Sequence, residues 1–116
     1  MKKVLIVEDD LILTMINKRF LELLGHSVVS SVRNGLDAIE AVKKHNPDVI
    51  IMDIRIDGNI DGIEAMEEIR KFSDVKVIYV SGNSEPETLA RAEKTKMLGF
   101  RVKPIFIEDL KEFLEF

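Results

Sequence analysis

Carboxylates follow two apolar runs in this sequence, and their types and spacing could support chemistry. The apolar run at 49–52 leads directly into Asp53, and the run at 4–7 leads into Glu8 and Asp9. A short apolar run bounded by polar residues predicts a strand covered on both faces, as the centre of a parallel sheet requires. Because ligands bind at the carboxyl ends of such strands, Asp53 is the first candidate for function.

These three carboxylates would repel one another if the fold brought them together. Their pKa values would rise unless a cation lay among them. Mg²⁺ meets that need best, because it requires only one or two carboxylates, keeps several waters and accepts phosphate oxygens. Ser81 ends a further apolar run, and Lys103 precedes a proline after another. A metal, an ammonium group and a hydroxyl around one carboxylate predict a phosphoryl-transfer site.

The elements that must position these side chains alternate along the chain. Predicted strands cover residues 4–7, 27–32, 49–53, 76–80 and 99–102, and each is followed by a predicted helix. Helix one is predicted at 11–24, with Ile12, Ile16, Phe20, Leu23 and Leu24 at helical spacing. Helix four is predicted at 88–98 and is weakly amphipathic, and a brief last helix carries Ile107, Leu110 and Leu114.

Three helix starts can be predicted from capping residues. Asn34 is the expected N-cap of the second helix, and Asp61 with Glu64 forms a capping-box pattern at the third. Ser84 with Glu87 shows the same spacing before the fourth helix.

Strands that alternate with helices predict an α/β fold with right-handed crossovers. Strands one, three and four are continuously apolar and are predicted to be central, whereas strands two and five are mixed or short and are predicted to be edges. A doubly wound parallel sheet in the order 2-1-3-4-5, with helices on both faces, satisfies this pattern. Strands one and three are then neighbours, so Glu8, Asp9 and Asp53 converge at one edge of the sheet.

The composition limits the class of protein. With 116 residues, 46% of them hydrophobic and 33% charged, the chain suits a single domain over residues 1–116. Cysteine is absent, which excludes disulfides and thiolate metal sites. No apolar run is long enough to cross a membrane and the N-terminus lacks a signal-peptide pattern, so we expect a cytoplasmic protein. The net charge of −4 comes without a basic block, which disfavours direct nucleic-acid binding.

Together these motifs resemble the receiver domain of two-component response regulators. Glu8-Asp9 follows strand one, Asp53 follows strand three, Ser81 follows strand four and Lys103-Pro104 follows strand five. The resemblance covers the whole chain, and receiver domains share the strand order 2-1-3-4-5 with flavodoxin.

The resemblance implies a phosphorylation site. Asp53 would be the nucleophile that accepts a phosphoryl group from a phosphohistidine, forming an aspartyl phosphate. Lys103 would pair with one phosphoryl oxygen and Ser81 would hydrogen-bond another. Phe100 stands where the family has its switch aromatic, which turns inward as the hydroxyl moves. The Lys103-Pro104 peptide bond would be cis, as it generally is in the family.

The resemblance also implies a magnesium site. Asp9 would bind Mg²⁺ directly, Glu8 would act largely through water, and Asp53 and the backbone carbonyl of Arg55 would complete the protein ligands. The chain would act on no outside substrate and would only transfer and hydrolyse its own phosphate.

The implied partners are proteins. The donor would be a sensor histidine kinase or a histidine phosphotransfer protein, and the output would be a protein contact through helix four, strand five and helix five. Phe106, Phe113 and Phe116 are the aromatic residues expected to be exposed there. Direct contact with nucleic acid or a membrane is not expected.

The sequence departs from the family pattern near the site. Asp57 replaces the usual proline four residues after the nucleophile, and the loop that it begins is one residue longer than is common. Phe100 lacks a tyrosine hydroxyl, Lys96 replaces a usual glycine, and Ile105 replaces a usual phenylalanine. The added acidity of Asp57 is expected to alter the metal geometry or the lifetime of the phosphate.

Four alternatives come from other classes of protein. A pseudo-receiver would keep the fold as a protein-binding module without phosphorylation, against which the complete set of site residues argues. An aspartate-based hydrolase would carry a second acid where Arg55 stands, and a flavin or dinucleotide carrier would not place Glu8 and Asp9 where a phosphate must bind. The string from Asp57 to Glu68 fits an EF-hand loop, but a strand is predicted before it and that motif requires a helix.

Overall fold

The computed structural model describes all 116 residues, which form a five-stranded parallel sheet in the order β2-β1-β3-β4-β5. The predicted fold class and strand order are therefore confirmed. The strands are β1 (Lys3–Val7), β2 (Ser27–Val32), β3 (Val49–Asp53), β4 (Lys76–Ser81) and β5 (Gly99–Val102). The helices are α1 (Leu11–Leu23), α2 (Gly35–His45), α3 (Gly62–Ile69), α4 (Pro86–Glu93) and α5 (Ile107–Phe113).

The sheet register fixes which residues meet at its carboxyl edge. In β1 and β3, Val7 pairs with Met52, so Glu8 and Asp53, the next residue in each chain segment, lie at the same level. In β4 and β5, Ser81 pairs with Val102, so Lys103 leaves the sheet beside the end of β4. The central strands are buried and the edge strand β2 is half-buried, as their composition predicts.

Side chains of the strands alternate between two apolar layers. Leu5 and Ile50 face a cluster of 16 buried residues that draws on α2 and α3, whereas Val4 and Ile51 face a cluster of 10 that includes residues of α1 and α5. This alternation is the period-two geometry of a strand covered on both faces. Both layers therefore hold the carboxyl edge of the sheet in a fixed position.

Helix α1 buries only part of the face that its apolar spacing suggested, since Phe20 and Leu24 pack against the core whereas Ile16 is exposed. Its buried residues are Thr14, Asn17 and Leu21, whereas Ile12 is 69% exposed and Leu23 is 58% exposed. Thr14 can be buried because its hydroxyl donates to the carbonyl oxygen of Asp10 at 3.1 Å. Because its hydroxyl is satisfied within the helix, Thr14 can occupy a buried position that the hydrophobic pattern does not predict.

Two of the predicted helix starts are confirmed and one is wrong. The backbone nitrogen of Asp37 donates to Asn34 at 2.8 Å, and Asp61 and Glu64 form a reciprocal capping box. Helix α4, in contrast, has Glu85 as its N-cap with no side-chain hydrogen bond, so Ser84 does not cap it. Pro86 determines this start, since its fixed φ and missing N–H suit the first helical position.

Helix α4 also ends earlier than predicted, at Glu93. Lys96 adopts a left-handed backbone conformation with a φ of 58°, so the chain cannot continue the helix to residue 98.

None of the helices has the length and apolar character needed to span a membrane.

Candidate functional site

Asp53 is the last residue of β3, and its side chain is almost fully buried at the carboxyl edge of the sheet. Its Oδ2 accepts a hydrogen bond from Nζ of Lys103 at 2.7 Å. Its Oδ1 accepts a hydrogen bond from the backbone nitrogen of Arg55 at 3.3 Å. One buried carboxylate thus lies between a cation and a backbone donor, in an orientation fixed by the strand that precedes it.

The two acidic residues after β1 lie beside Asp53. Glu8 is 5% exposed, and its Oε1 lies 2.9 Å from Nζ of Lys103. Its Oε2 accepts a hydrogen bond from the backbone nitrogen of Asp10 at 3.1 Å, and Asp9 is half-buried. Ligand oxygens of Glu8, Asp9 and Asp53 lie within 4.8 Å of one another. The predicted convergence of the three carboxylates is therefore present in the structure.

Burial and neighbouring charges shift the pKa values of Glu8, Asp9 and Lys103. Burial, together with the neighbouring Asp53, raises the pKa of Glu8 above its ordinary value. Burial and the nearby Glu8 raise the pKa of Asp9 in the same way. Burial works against the charge on Lys103, but its hydrogen bonds to Asp53 and Glu8 outweigh that effect and raise its pKa. The cluster is an excess of negative charge that one lysine neutralises only in part.

Lys103 reaches this cluster because of the turn that follows β5. Its backbone nitrogen donates to the carbonyl oxygen of Ser81 at 2.7 Å, which extends the β4–β5 pairing by one residue. The Lys103-Pro104 peptide bond is cis, as expected. This turn directs the lysine side chain toward Glu8 and Asp53.

Ser81 and Phe100 lie on the neighbouring strands. Ser81 is 2% exposed, and its hydroxyl accepts a hydrogen bond from the backbone nitrogen of Asn83 at 3.5 Å. Phe100 is half-buried in β5 and pairs across the sheet with Tyr79. Ser81 therefore ends the strand beside β3, while Phe100 lies further back along the edge strand.

The donor set suits a hard divalent cation. Three clustered carboxylates offer only oxygen ligands, and burial and their closeness to one another raise the pKa values of Glu8 and Asp9. Mg²⁺ prefers this chemistry. The side chain of Arg55 is exposed, and its backbone lies directly after the loop residue that follows Asp53. The residues present thus fit the predicted ion.

The loop after β3 contacts the segment that follows β2. Asp57 forms a salt bridge of 3.3 Å with Arg33, and Asn34 forms an isolated parallel bridge with Asp57. The extra acidic residue is thus paired with a cation.

The string from Asp57 to Glu68 does not form an EF-hand loop. Strand β3 precedes it, Asp61 caps α3 and Glu68 pairs with Lys71.

Gly62 packs against the candidate site, and the sequence motifs did not single it out for this role. It is the first residue of α3, and a Cβ there would collide with the carbonyl oxygen of Asp53 and lie 2.8 Å from Cγ of Met52. The backbone of α3 therefore packs directly against the backbone of Asp53. A glycine inside the first turn of a predicted helix was the available signal, since it often marks close backbone approach.

The expected output face shows two of its three predicted aromatic residues at the surface. Phe106 is 57% exposed and Phe116 is 42% exposed. Phe113 is half-buried, because its ring packs against Gly99 and lies 4.5 Å from the guanidinium of Arg101. The prediction that Phe113 is exposed was wrong, since edge strand β5 offers it a glycine to cover.

Comparison with known proteins identifies the same family. The model of the response regulator receiver domain matches residues 4–115. A probable C4-dicarboxylate response regulator, DctR of Bacillus subtilis, is 32% identical over 115 residues, which are 97% of this chain and 50% of that protein. The chemotaxis protein CheY of Thermotoga maritima is 34% identical over 104 residues, covering 89% of this chain and 86% of that protein.

Solved structures agree with the sequence relatives. The signal receiver domain of a modulated diguanylate cyclase from Desulfovibrio desulfuricans superimposes with a TM-score of 0.91 at 28% identity, covering 99% of this chain and 91% of that one. The chain spans about half the length of the first curated relatives it matches. On sequence, fold and family model alike, the chain belongs to the response regulator receiver domains of two-component signalling.

Proposed function

We propose that residues 1–116 form one receiver domain that accepts a phosphoryl group on Asp53. The observation that carries this proposal is the buried carboxylate of Asp53, whose Oδ2 lies 2.7 Å from the ammonium group of Lys103. The donor would be a phosphohistidine of a sensor kinase or of a phosphotransfer protein. Because kinases form that group where ATP is available, we place this domain in the cytoplasm.

Transfer begins with attack of an Asp53 carboxylate oxygen on the phosphorus atom. The bond from phosphorus to the donor imidazole nitrogen breaks, and an acyl phosphate forms on Asp53. Lys103 is already at the carboxylate, so a short shift of its Nζ lets it bind a phosphoryl oxygen. Catalysis of this kind consists mostly of positioning and charge neutralisation, which the strand ends supply.

Glu8, Asp9 and Asp53 would hold Mg²⁺, with the backbone carbonyl of Arg55 as a further ligand. Receiver domains generally use this ion. When it is bound, it supplies the positive charge that a phosphoryl group needs in a cluster of carboxylates.

The phosphorylated state would be read on the surface of α4, β5 and α5. Ser81 would move to hydrogen-bond a phosphoryl oxygen, and half-buried Phe100 would fill the space that it leaves. Helix α4, on this face, begins at Pro86 without a side-chain cap hydrogen bond. A downstream protein would bind there, next to exposed Phe106.

Intact mass after incubation with acetyl phosphate tests the proposal. We expect a Mg²⁺-dependent gain of one phosphoryl group in the unchanged protein and no gain in Asp53→Asn. Asp9→Asn should lower the extent of labelling, because it removes a metal ligand. Asp74→Asn is the matched control, since this exposed carboxylate precedes β4 at the opposite edge of the sheet, and it should label normally.

The pseudo-receiver predicts a different result. A folded protein that binds Mg²⁺ yet gains no mass would overturn the phosphorylation proposal and leave a constitutive binding module. A gain that persists in Asp53→Asn would show that another residue is the acceptor.

A further inference from the structure

A cavity of about 140 Å³ lies between α1 and the segment that joins β5 to α5. Apolar side chains form most of its wall, and Glu8 and Lys103 also line it. Asp53 does not line it. The cavity therefore adjoins the acceptor site without containing the acceptor, and the proposed phosphoryl transfer does not require it.

Asn17 gives this cavity a polar group without a protein partner. The residue is 7% exposed and lines the cavity from α1. Its side-chain amide makes no hydrogen bond within the protein, although the neighbouring buried Thr14 does. Because no fully enclosed polar atom of the protein lacks a partner, the amide keeps some contact with solvent beside or within the cavity that it lines. A ligand that excludes water from this amide must itself hydrogen-bond to it, or the amide loses its partner.

The apolar walls select against an ionic occupant, because a buried ion needs a paired counter-charge. Glu8 and Lys103 already pair with each other at 2.9 Å, and Lys103 also pairs with Asp53. The remaining walls include the side chains of Leu13, Phe20 and Ile105, which favour an apolar body. A ligand that fits must therefore be neutral, largely apolar and able to hydrogen-bond once.

The volume sets the size of that ligand. In another protein an apolar cavity of roughly 150 Å³ admits one benzene ring. From volume, wall chemistry and the unpartnered amide, we propose that this cavity is a binding site for a small neutral ring compound with one hydroxyl or amide group, held by Asn17. Exposed Phe106 at the cavity wall is placed to cover such a ligand.

Phenol and toluene are probes that test this site on the metal-free protein. They match in size, but toluene is the more hydrophobic, so an apolar cavity without a polar contact must prefer toluene. We expect phenol to bind at least as tightly, with saturable shifts of the amide resonances of Asn17, Ile16 and Ile105 in a nitrogen–proton correlation spectrum. Preference for toluene by tenfold or more would overturn the proposed role of Asn17.

Asn17→Leu is the decisive variant, because leucine has a similar volume and cannot hydrogen-bond. The ratio of phenol to toluene affinity should fall by about fivefold, the value of one hydrogen bond. Asn59→Leu makes the same change at an exposed loop position and should leave that ratio unchanged. Asn17→Ala, which keeps the helix and enlarges the cavity, should lose the same discrimination while still binding toluene.

Two results would overturn the proposal. One is the absence of saturable shifts at cavity residues with either probe, and the other is an unchanged affinity ratio in both Asn17 variants. Since no phosphoryl donor or Mg²⁺ is present, neither result depends on whether Asp53 can be phosphorylated.

Discussion

The phenol oxygen of Tyr79 lies 2.7 Å from the hydroxyl oxygen of Thr95, and this hydrogen bond joins the core of β4 to the turn that follows α4. The Thr95 hydroxyl itself donates to the carbonyl oxygen of Ala92 at 2.6 Å, so Tyr79 must be the donor between the two. Nε of Arg70 donates to the carbonyl oxygen of Thr95 at 2.7 Å. Three elements thus meet at one buried threonine.

We predict that the two hydroxyls contribute unequally to stability. Tyr79→Phe should lower the free energy of unfolding by about 1 kcal/mol, because Thr95 keeps its bond to Ala92. Thr95→Val should lower it by about 2 kcal/mol, because the fully buried Tyr79 hydroxyl then lacks an acceptor. Urea denaturation measures both values. The double variant should cost less than the sum, and strict additivity would contradict the coupling.

Burial raises the pKa of Tyr79 to about 12. In the unfolded chain a tyrosine has a pKa of about 10, so the unfolded state ionises first. The stability that this group contributes is therefore complete below pH of about 10 and is lost as the pH rises to about 12. Tyr79 is the single tyrosine of a chain without tryptophan, so tyrosinate absorbance reports it alone. A native-state midpoint near that measured in denaturant would contradict this prediction.

Removal of the Lys103 charge should destabilise the metal-free protein. Lys103→Met leaves the carboxylates of Glu8 and Asp53, each 5% exposed, without their cation. Breaking a fully buried pair costs roughly 3–5 kcal/mol, and because the lysine is partly exposed we expect about 2 kcal/mol. Urea denaturation in the presence of a chelator measures the loss. Lys111→Met on α5 removes an exposed lysine and should change stability by less than about 0.5 kcal/mol.

Asp53→Asn separates the effect of pairing with Lys103 from the repulsion among the carboxylates. Asp53→Asn keeps the contact between Lys103 and Glu8 but removes one of the crowded carboxylates. Its stability should equal or exceed that of the unchanged protein without metal. A loss as large as that of Lys103→Met would show that the carboxylates do not repel one another.

Mg²⁺ should stabilise the protein in a pH-dependent way. The pKa values of Glu8 and Asp9 are raised above 4.5 and 3.8, so these groups favour the fold below those values and their contribution is lost as the pH rises through the raised values. Mg²⁺ offsets the resulting repulsion only once the carboxylates have ionised. The rise in melting temperature on adding MgCl₂ should therefore be large near neutral pH and small near pH of about 4. A pH-independent rise, or the same rise in Asp9→Asn, would contradict a site at these residues.

The sequence predicted the carboxyl edge of the sheet well because parallel strands leave a strong local signal. Unbroken apolar runs identify central strands, and the residue after each run must lie at the shared edge. Glu8, Asp53 and Lys103 were found in this way and do meet. Their spacing depends only on strand order, which composition alone could fix.

Helix rotation and helix length were harder to predict, because they depend on contacts between distant residues. Thr14 and Asn17 lie on the buried face of α1, and no local pattern predicts that they are buried while Ile12 is exposed. Lys96, three residues after α4, has a left-handed backbone conformation that lysine seldom adopts, so the helix does not extend further. The buried hydrogen bond of Tyr79 lies close by and joins residues 16 positions apart, which periodicity does not detect.

Gly62→Ala should damage both the fold and the acceptor site. In most helices alanine is more stable than glycine by about 1 kcal/mol, but here the new Cβ would collide with the carbonyl oxygen of Asp53. We expect a net loss of about 2 kcal/mol in urea denaturation and slower labelling of Asp53 by acetyl phosphate, because α3 must move away from β3. Gly82→Ala is the stability control, since nothing lies within 4 Å of its Cβ position. Equal stabilities of the two variants would show that α3 does not press against the backbone of Asp53.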